Sequence, residues 1–296
     1  MPPLGRTPIA ALIRLALQED AAFVDVTSRS VLPSAVRIRA RIIAKSNGVI
    51  AGALYAAQVF RTLDPTIRCH LAHRDGQAIA AGQTILTVDG RACSIFAAER
   101  TALNLLGHLS GIATLTRAYI DRVRGTRCAM FDTRKTLPGL RDVQKYAVRM
   151  GGGQNHRRDL REAILIKTNH LRALQRGKGL RVTGDGTLQL AVAQAKRLKP
   201  KRLVEIEVTD VEQFQQALSA QPDIILLDNW RLADIRRAVR LRNSSPHTPH
   251  PTPSLEVSGG VTLANVRAIA STGVDRISVG RLTHSAPALD VSLQVT

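Results

Sequence analysis

Apolar residues recur with two different periods along the first hundred residues. At 9–18 and again at 48–63 they recur every three to four positions, the spacing of an amphipathic helix. At 36–44 aliphatic side chains occupy every second position and arginines fill the first gaps, which predicts a strand with one buried and one solvated face. Short apolar runs at 67–73 and 85–88, bounded by Asp-Gly and Gly turns, predict two more strands. We therefore expect a first domain of mixed helices and strands.

From about Ala97 onward the helical period dominates, and we expect one break in it at Ser110-Gly111. The rest of the chain alternates short apolar runs with helical stretches, a pattern typical of parallel α/β folds. Polar side chains come at or directly after the end of each run, which is where α/β barrels gather their active sites. We predict a parallel α/β barrel with about six strands, at residues 129–131, 163–166, 203–208, 224–227, 255–257 and 276–279.

The composition is that of a folded globular protein, with 44% hydrophobic and 22% charged residues. Three isolated cysteines, Cys69, Cys93 and Cys128, form no CxxC pair, so we expect buried thiols and neither disulfides nor a zinc site. No apolar run is long enough to span a membrane, and the first helix, which contains Arg14, does not have the pattern of an export signal. We expect a cytoplasmic protein without a membrane partner.

The charge balance points to an anionic ligand. The chain carries 42 Lys and Arg against 23 Asp and Glu, a net charge of +19. An excess this large suits either a nucleic acid or a small acidic substrate. Only 3% of residues are aromatic and no known nucleic-acid motif occurs, so few side chains are available to stack on nucleic-acid bases. A small acidic substrate and no nucleic-acid partner are favoured, with part of the excess assigned to solvated surface arginines.

Residues 134–172 hold ten basic residues and only three acids. Three of the bases are spaced four apart on a helix predicted at 140–150 and are interpreted as its solvated face: Arg141, Lys145 and Arg149. Four others lie at predicted strand ends or after the glycine run at 151–153: Arg134, Lys135, Arg157 and Lys167. We expect these four to converge on the barrel mouth and to bind a polyanion.

Small residues follow the last two predicted strands, in the runs Ser258-Gly259-Gly260 and Ser278-Val279-Gly280. Such turns let backbone N–H groups approach a phosphate, although they also occur as simple tight turns. Glu205 and Glu207 are two apart on one strand and point to one face, and Asp228 ends the next strand. These carboxylates suit Mg²⁺, sugar hydroxyls or a cationic transition state, and a structural ion pair with nearby bases is the alternative.

The sequence allows more than one role for each of four histidines. His156 and His170 flank the basic cluster, and each either binds an anion or satisfies polar groups of the core. His247 and His250 lie in a proline-rich stretch at 243–253, which is predicted to be an irregular surface loop. Their spacing lacks a convincing metal-ligand set.

Longer motifs run through most of the chain in a fixed order. They are Asp25-Val26-Thr27-Ser28, Glu99-Arg100-Thr101-Ala102-Leu103-Asn104, Asp132-Thr133-Arg134-Lys135-Thr136, Asn155-His156-Arg157 after three glycines, Leu165-Ile166-Lys167, Glu205-Ile206-Glu207, Leu226-Leu227-Asp228-Asn229, Glu256-Val257-Ser258-Gly259-Gly260 and Ser278-Val279-Gly280. Together they resemble the quinolinate phosphoribosyltransferase family, also called nicotinate-nucleotide pyrophosphorylases.

The resemblance implies a fold of two parts. An N-terminal α/β sandwich would span residues 1–112 and be joined by the C-terminal tail 285–296, and an open parallel α/β barrel would span 113–284. The family's enzymes transfer phosphoribosyl from 5-phosphoribosyl 1-pyrophosphate to quinolinate with decarboxylation, giving nicotinate mononucleotide, pyrophosphate and CO2 in NAD biosynthesis. The resemblance also implies Mg²⁺ as cofactor and a homodimer, or a higher homo-oligomer, with shared active sites.

The resemblance assigns roles at the quinolinate end of the site. Arg100, delivered from the partner chain, would hold the quinolinate carboxylates together with Arg134, His156 and Arg157. Thr133, beside Arg134, is expected among the substrate-binding residues.

The resemblance assigns other residues to the phosphoribosyl end. Lys135 and Lys167 would face the phosphoribosyl pyrophosphate and the reacting carboxylate. Glu207 and Asp228 would hold the ribose hydroxyls and Mg²⁺, and with the two lysines they form the expected catalytic set. The 5-phosphate would lie in the two small-residue turns, at Ser258, Gly259, Gly260, Ser278, Val279 and Gly280.

Three alternatives stay open. A transferase of the same fold would accept another nitrogenous acid, such as nicotinate, or serve a molybdenum-linked relative. Lys167 at its strand end also suits the Schiff-base lysine of an aldolase. A basic RNA-associated protein would show steeply salt-dependent RNA affinity.

Overall fold

The computed structural model describes residues 6–178, 186–244 and 252–296, so His247 and His250 lie outside the described residues. The chain divides into two compact units. The first comprises residues up to Arg117 together with Lys135–Gly153 and Arg281–Thr296, and the second comprises Ala118–Arg134 and Gln154–Gly280. The first unit thus includes Lys135–Gly153, a segment between the first two barrel strands.

The elements of the first unit alternate between helices and short strands. In chain order they are α1 (Arg6–Glu19), a 3-10 turn (Ala22–Val24), α2 (Val26–Val31), β1 (Arg37–Ala44), β2 (Gly48–Val49), α3 (Ala53–Leu63), β3 (Arg68–Leu71), β4 (Ala78–Ile79), β5 (Thr84–Arg91) and α4 (Ala92–Val123), which continues into the second unit. Three later elements also belong to this unit. They are α5 (Arg141–Met150), which follows the first barrel strand, and α11 (Arg281–His284) and β12 (Val291–Val295) near the end of the chain.

An antiparallel sheet in the order β12-β1-β5-β3 forms the centre of the first unit. The alternation predicted at 36–44 is confirmed: Ala40 and Ile42 are fully buried, whereas Arg39 and Arg41 are exposed. The buried face packs in one core with residues of α1, α3 and α4, including Leu17 and Phe60. The last strand of the chain therefore completes the sheet that the first strand begins, through pairs such as that between Ala40 and Val295.

Two helix predictions in this unit need correction. Residues 48–63 are not one helix, because Asp75 accepts hydrogen bonds from the N–H groups of Gly52 and Ala53 and so fixes the start of α3 at Ala53. The break expected at Ser110-Gly111 is absent, since α4 runs unbroken through both residues. Ser110 instead donates its hydroxyl to the carbonyl of Ala51 at 3.1 Å.

The second unit contains the predicted barrel strands. They are β6 (Ala129–Phe131), β7 (Ile164–Ile166), β8 (Val204–Val208), β9 (Ile224–Asp228), β10 (Ser254–Ser258) and β11 (Arg276–Ser278), and the described helices after β7 are α6 (Thr168–Lys178), α7 (Thr187–Lys196), α8 (Val211–Ala220), α9 (Leu232–Ser244) and α10 (Val266–Ala270). All six strands pair in parallel, in the order β6-β11-β10-β9-β8-β7. The last strand thus pairs with the first, as in a barrel that is open between β6 and β7.

The cysteines and the helix lengths complete the description. All three cysteines are free, with Cys128 buried but Cys69 and Cys93 only partly buried, so the expectation of buried thiols holds fully for Cys128 alone. None of the helices in the described ranges is long and apolar enough to cross a membrane.

Candidate active site

Strand register places polar residues of neighbouring strands on one face of the parallel sheet. Paired residues of parallel strands point to the same face. Glu207 pairs with Leu226, two residues before Asp228, and Asp228 pairs with Ser258. By the same register Ser278 follows on the next strand. The carboxyl ends of four adjacent strands therefore present two carboxylates and two serines on one face.

Two arginines lie close together at the edge of this face. Burial lowers the pKa of Arg157, and the nearby charge of Arg134 lowers it further, while Glu205 opposes the shift. The Nε of Arg134 is buried without a hydrogen-bond partner, and an Arg157 guanidinium nitrogen donates to the carbonyl of Ala163 at 2.9 Å. Within the described residues neither guanidinium is paired with a carboxylate. Neighbouring guanidinium groups that form no ion pair with a described carboxylate are suited to binding an anion.

A buried carboxylate ties the segments of these arginines together. Asp132 is wholly buried and accepts hydrogen bonds from the main-chain N–H of His156 at 2.8 Å and from the side-chain amide of Asn155 at 2.7 Å. Gln154 continues the pairing along the free edge of β6, donating its N–H to the carbonyl of Met130 at 2.8 Å. Residues 154–157 are thereby fixed to the strand that leads into Arg134.

The ring of His156 points into a buried network of charges. Its Nε2 lies 3.0 Å from Oε2 of Glu205 and 3.5 Å from Oε1 of Glu256, and these two side chains are 1% and 0% exposed. The Nε of Arg276 lies 2.6 Å from Oε2 of Glu256, and the same guanidinium stacks 3.8 Å above the ring of Phe131. Two acids and two bases thus share the interior of the barrel.

The pKa values in this network follow from burial and pairing. Burial by itself lowers the pKa of His156, but the neighbouring carboxylates of Glu205 and Glu256 outweigh burial and raise the pKa of the ring. Burial raises the pKa of Glu205, with His156 opposing. Burial also favours neutral Glu256, but His156 and Arg276 lower the pKa of that carboxyl overall. A proton therefore stays on the contact between His156 and Glu205 at neutral pH.

The same three ligand atoms, of His156, Glu205 and Glu256, lie within 4.8 Å of one another, which invites comparison with a metal site. The main-chain N–H of Arg157 donates to Nδ1 of His156 at 2.8 Å, so the ring proton lies on Nε2. No lone pair of Nε2 then faces the carboxylates, and Arg276 already lies against Glu256. The cluster fits a buried ion-pair network and does not fit a cation.

Glu207 and Asp228 fit a magnesium ion better. Oε1 of Glu207 accepts hydrogen bonds from the N–H and hydroxyl of Thr168 at 3.2 and 3.0 Å, and Oε2 lies 3.8 Å from Nζ of Lys167. Asp228 accepts a hydrogen bond from the side-chain amide of Asn229 at 3.0 Å. Both carboxylates are only partly buried and stand on adjacent strands, and oxygen ligands of this kind suit Mg²⁺ that keeps water and substrate ligands.

The two small-residue turns differ in what their backbones offer. Gly259 and Gly260 have positive φ angles of 85° and 61°, and a Cβ at Gly259 would lie 2.2 Å from Oδ1 of Asn229, so only glycine fits there. Ser278 and Val279 are buried, and the N–H of Val279 donates to the carbonyl of Phe131 at 2.9 Å. The first turn is therefore the more open of the two to a phosphate.

The remaining predicted residues belong to the first unit. Arg100 is exposed on α4 and lines a cavity of about 400 Å³ with Glu19 at the end of α1, the following Asp20, and His108. The side chain of Lys135 is exposed, and its carbonyl accepts a hydrogen bond from the hydroxyl of Thr283 at 2.8 Å.

Sequence reasoning missed several residues of the site. Glu256 and Arg276 were not singled out, although each lies two residues before a selected serine and so shares its face of the strand. The sequence contains Asp132 only as part of a motif, because its hydrogen bonds with Asn155 and the main chain of His156 form across the edge of the sheet. The solvated-face interpretation is wrong for Lys145, which is 2% exposed.

An open α/β barrel whose strand ends carry paired arginines, two carboxylates and a glycine turn defines a protein that binds an anionic substrate together with a phosphate. The family models for the C-terminal and N-terminal domains of quinolinate phosphoribosyl transferase match residues 112–294 and 25–110. The chain belongs to the quinolinate phosphoribosyl transferase family.

Named relatives resemble the chain over nearly its whole length. The nicotinate-nucleotide pyrophosphorylase [carboxylating] of Mycobacterium leprae is 40% identical, covering 96% of this chain and 95% of the relative. The quinolinate phosphoribosyltransferase [decarboxylating] 1 of Nicotiana glauca is 36% identical, covering 99% and 84%. The solved structure of the nicotinate-nucleotide pyrophosphorylase from Francisella tularensis superposes with a TM-score of 0.87 at 37% identity, covering 98% and 96%.

Proposed function

We propose that this protein transfers phosphoribosyl from 5-phosphoribosyl 1-pyrophosphate to quinolinate and releases CO2, giving nicotinate mononucleotide and pyrophosphate. One observation carries the assignment. The charges of Arg134 and Arg157 act on each other, neither side chain forms an ion pair with a carboxylate within the described residues, and both lie in the unit that holds the acidic strand ends. Quinolinate has two adjacent carboxylates, and planar guanidinium groups bind carboxylates through two parallel hydrogen bonds. Family membership supports the same substrate.

The geometry supports a division of labour between the two ends of the site. The quinolinate nitrogen attacks C1 of the ribose as the bond from C1 to the pyrophosphate oxygen breaks, so positive charge develops on the sugar. Glu207 and Asp228 stabilise that charge, and Lys135 stabilises the departing pyrophosphate. The carboxylate next to the ring nitrogen then leaves as CO2, its bonding electrons stay on the ring carbon beside the new pyridinium nitrogen, and that carbon takes up a proton. Lys167 faces this carboxylate.

A magnesium cofactor is part of the proposal. Glu207 and Asp228 would hold the ion, largely through the ribose hydroxyls and pyrophosphate of the substrate. When bound, Mg²⁺ neutralises charge on the pyrophosphate. The support is the pair of partly exposed carboxylates on adjacent strands.

We also propose a homodimer, or a higher homo-oligomer, with shared sites in the cytoplasm. Arg100 of one copy would complete the quinolinate pocket of another. In support, the first unit exposes several apolar side chains between residues 15 and 31, namely Leu15, Phe23, Val24, Val26 and Val31, which are 48% to 77% exposed. An exposed apolar group of this kind is typical of a protein interface.

One assay tests the function. The protein is incubated with phosphoribosyl pyrophosphate, Mg²⁺ and either quinolinate or nicotinate, and CO2 and pyrophosphate are measured. We expect both products in equal amounts with quinolinate and neither with nicotinate. Pyrophosphate release from nicotinate would instead support the related transferase, and trapping of a substrate on Lys167 by borohydride would support an aldolase.

A further inference from the structure

Deep in the barrel, the ring of His156 is held on both of its nitrogens. Glu205 and Glu256 lie 3.0 and 3.5 Å from Nε2, and the main-chain N–H of Arg157 donates to Nδ1 at 2.8 Å. The side chain of His156 is 9% exposed. The ring therefore connects the buried carboxylates to the main chain of a residue that the proposed function places against the substrate.

The main chain on both sides of Arg157 makes further contacts. The N–H of His156 donates to Asp132, which anchors the segment on the side of β6. Beyond Arg157, the main-chain N–H of Arg158 donates to the carboxylate of Glu162, and the Arg157 guanidinium donates to the carbonyl of Ala163. The ring of His156 adds the contact that ties the N–H of Arg157 itself to the barrel interior, so the position of the ring helps to set the direction of Arg157.

We propose that Glu205 and Glu256 are positioning residues of the quinolinate site, which fix the ring of His156 and through it the main chain of Arg157. Arg276 supports them by holding Glu256 from its other side, at 2.6 Å. The inference rests on the proposed function, because it assumes that Arg157 binds the substrate. Neither carboxylate touches the substrate in this arrangement.

Stability alone is a weak reason for such a network. Ionisable side chains in a barrel interior carry a large desolvation cost when they are charged, and apolar side chains of similar volume often stabilise a fold as well or better. The contact of His156 with Glu205 at 3.0 Å, together with the ion pairs that Glu256 forms with His156 and Arg276, in contrast holds the ring in place from the barrel interior. Directional control of one main-chain segment is what this set of contacts supplies.

The test compares Glu205→Gln and Glu256→Gln with wild type, using Glu212→Gln on the exposed face of α8 as the matched control. KM for quinolinate, KM for phosphoribosyl pyrophosphate and kcat are measured separately. We expect KM for quinolinate to rise about tenfold in both variants, by analogy with residues that orient metal ligands by hydrogen bonding to them. KM for phosphoribosyl pyrophosphate should change less than about twofold, as it should in the control.

A second comparison separates positioning from general damage. If both carboxylates act through Arg157, adding Glu205→Gln to Arg157→Ala should raise KM for quinolinate no further than Arg157→Ala does alone. A merely structural role would lower the melting temperature and leave KM for quinolinate of the single variants unchanged in the folded fraction. An effect on quinolinate binding that bypasses Arg157 would instead add to the KM effect of Arg157→Ala. Either result would overturn the proposal.

A third variant guards against misfolding. Glu256→Leu with Arg276→Met removes both members of one ion pair and leaves no unpaired buried charge, so it should fold and should still raise KM for quinolinate. Near-native KM in this variant would also overturn the inference. If wild type itself neither binds nor consumes quinolinate, the proposed function fails. If wild type is active and the carboxylate variants keep the wild-type KM for quinolinate, the proposed function stands and the positioning role fails.

Discussion

At the scale of single residues, the environment of a charge decides its role more than its type does. Arg141, Lys145 and Arg149 have the same spacing on α5, yet Lys145 is buried while the two arginines are partly exposed. Arg134 and Arg157 differ from the many exposed arginines because both are partly buried and their charges act on each other. The sequence places all of these bases in one cluster, but burial and pairing need the fold.

The paired arginines give the first prediction. Arg134→Ala and Arg157→Ala should each weaken quinolinate binding by about 2–4 kcal/mol, because each removes a two-bond partner of a dianion. Titration calorimetry measures the affinity, and thermal unfolding shows whether the fold is kept. Arg158→Ala, at the exposed neighbouring position, is the matched control and should bind normally. Unchanged quinolinate affinity in either variant would contradict the assignment.

The strand-end carboxylates give a prediction of another kind. Glu207→Ala and Asp228→Ala should lower kcat about a hundredfold while quinolinate affinity barely changes, because these groups act on charge that develops only in the transition state. Activity should also disappear on chelation of divalent metal and return with Mg²⁺. Glu212→Ala serves as the control. Near-native kcat in both variants, or full activity after exhaustive chelation, would refute this division of labour.

Asp64 allows a prediction about pH. Burial by itself raises the pKa of this carboxyl, but hydrogen bonds from Thr66, Ser94 and Arg91 lower it well below its usual range. A carboxyl whose pKa is lowered by folding contributes stability above its unfolded pKa of about 4, and that contribution is lost as pH falls.

Asp64→Asn should therefore lower the free energy of unfolding by about 2 kcal/mol at pH 7 and by less at pH 3. Urea unfolding at the two pH values measures the difference. Asp121→Asn, which removes an exposed ion pair with Arg124, should change stability by less than about 1 kcal/mol. An equal loss at both pH values for Asp64→Asn would show that its charge does not contribute.

At the scale of elements, local patterns were enough for the strands and insufficient for the long helix. All six predicted barrel strands appear, because each is a short apolar run followed by polar residues. The break expected in α4 does not appear, because glycine there has a packing role: a Cβ at Gly111 would lie 2.0 Å from the carbonyl oxygen of Pro287. A contact between residues so far apart in sequence leaves no local signal. The network around His156 escaped prediction for the same reason.

This contact can be tested by adding one methyl group. Gly111→Ala should lower the free energy of unfolding by about 1–3 kcal/mol, since the new Cβ would meet main-chain atoms of 287–288 that have little room to shift. Alanine favours a helix over glycine by about 1 kcal/mol, so a loss in stability would be due to the clash. Asn104→Ala, exposed on the same helix, is the control for thermal unfolding. A stabilised Gly111→Ala protein would contradict the packing argument.

At the scale of the whole molecule, the candidate site residues divide between two compact units. Arg100 and Lys135 belong to the first, whereas Arg134, Arg157 and Lys167 belong to the second. Strand β12 ties the end of the chain into the first sheet, so the barrel is an insertion between elements of the first unit. The proposed sharing of sites between copies depends on Arg100 acting on a second chain.

Mixing two inactive proteins tests that sharing. Arg100→Ala and Lys167→Ala chains should each be inactive alone, because each lacks a cation needed in every site. In a mixed dimer, one site would take Arg100 from the Lys167→Ala chain and Lys167 from the Arg100→Ala chain, and so be intact. Random reassembly of equal amounts should restore about a quarter of the wild-type activity, since half of the dimers are mixed and each has one intact site. Differently tagged chains allow the mixed dimers to be purified and counted. Mixed dimers that stay as inactive as their parents would show that each site is built from one chain.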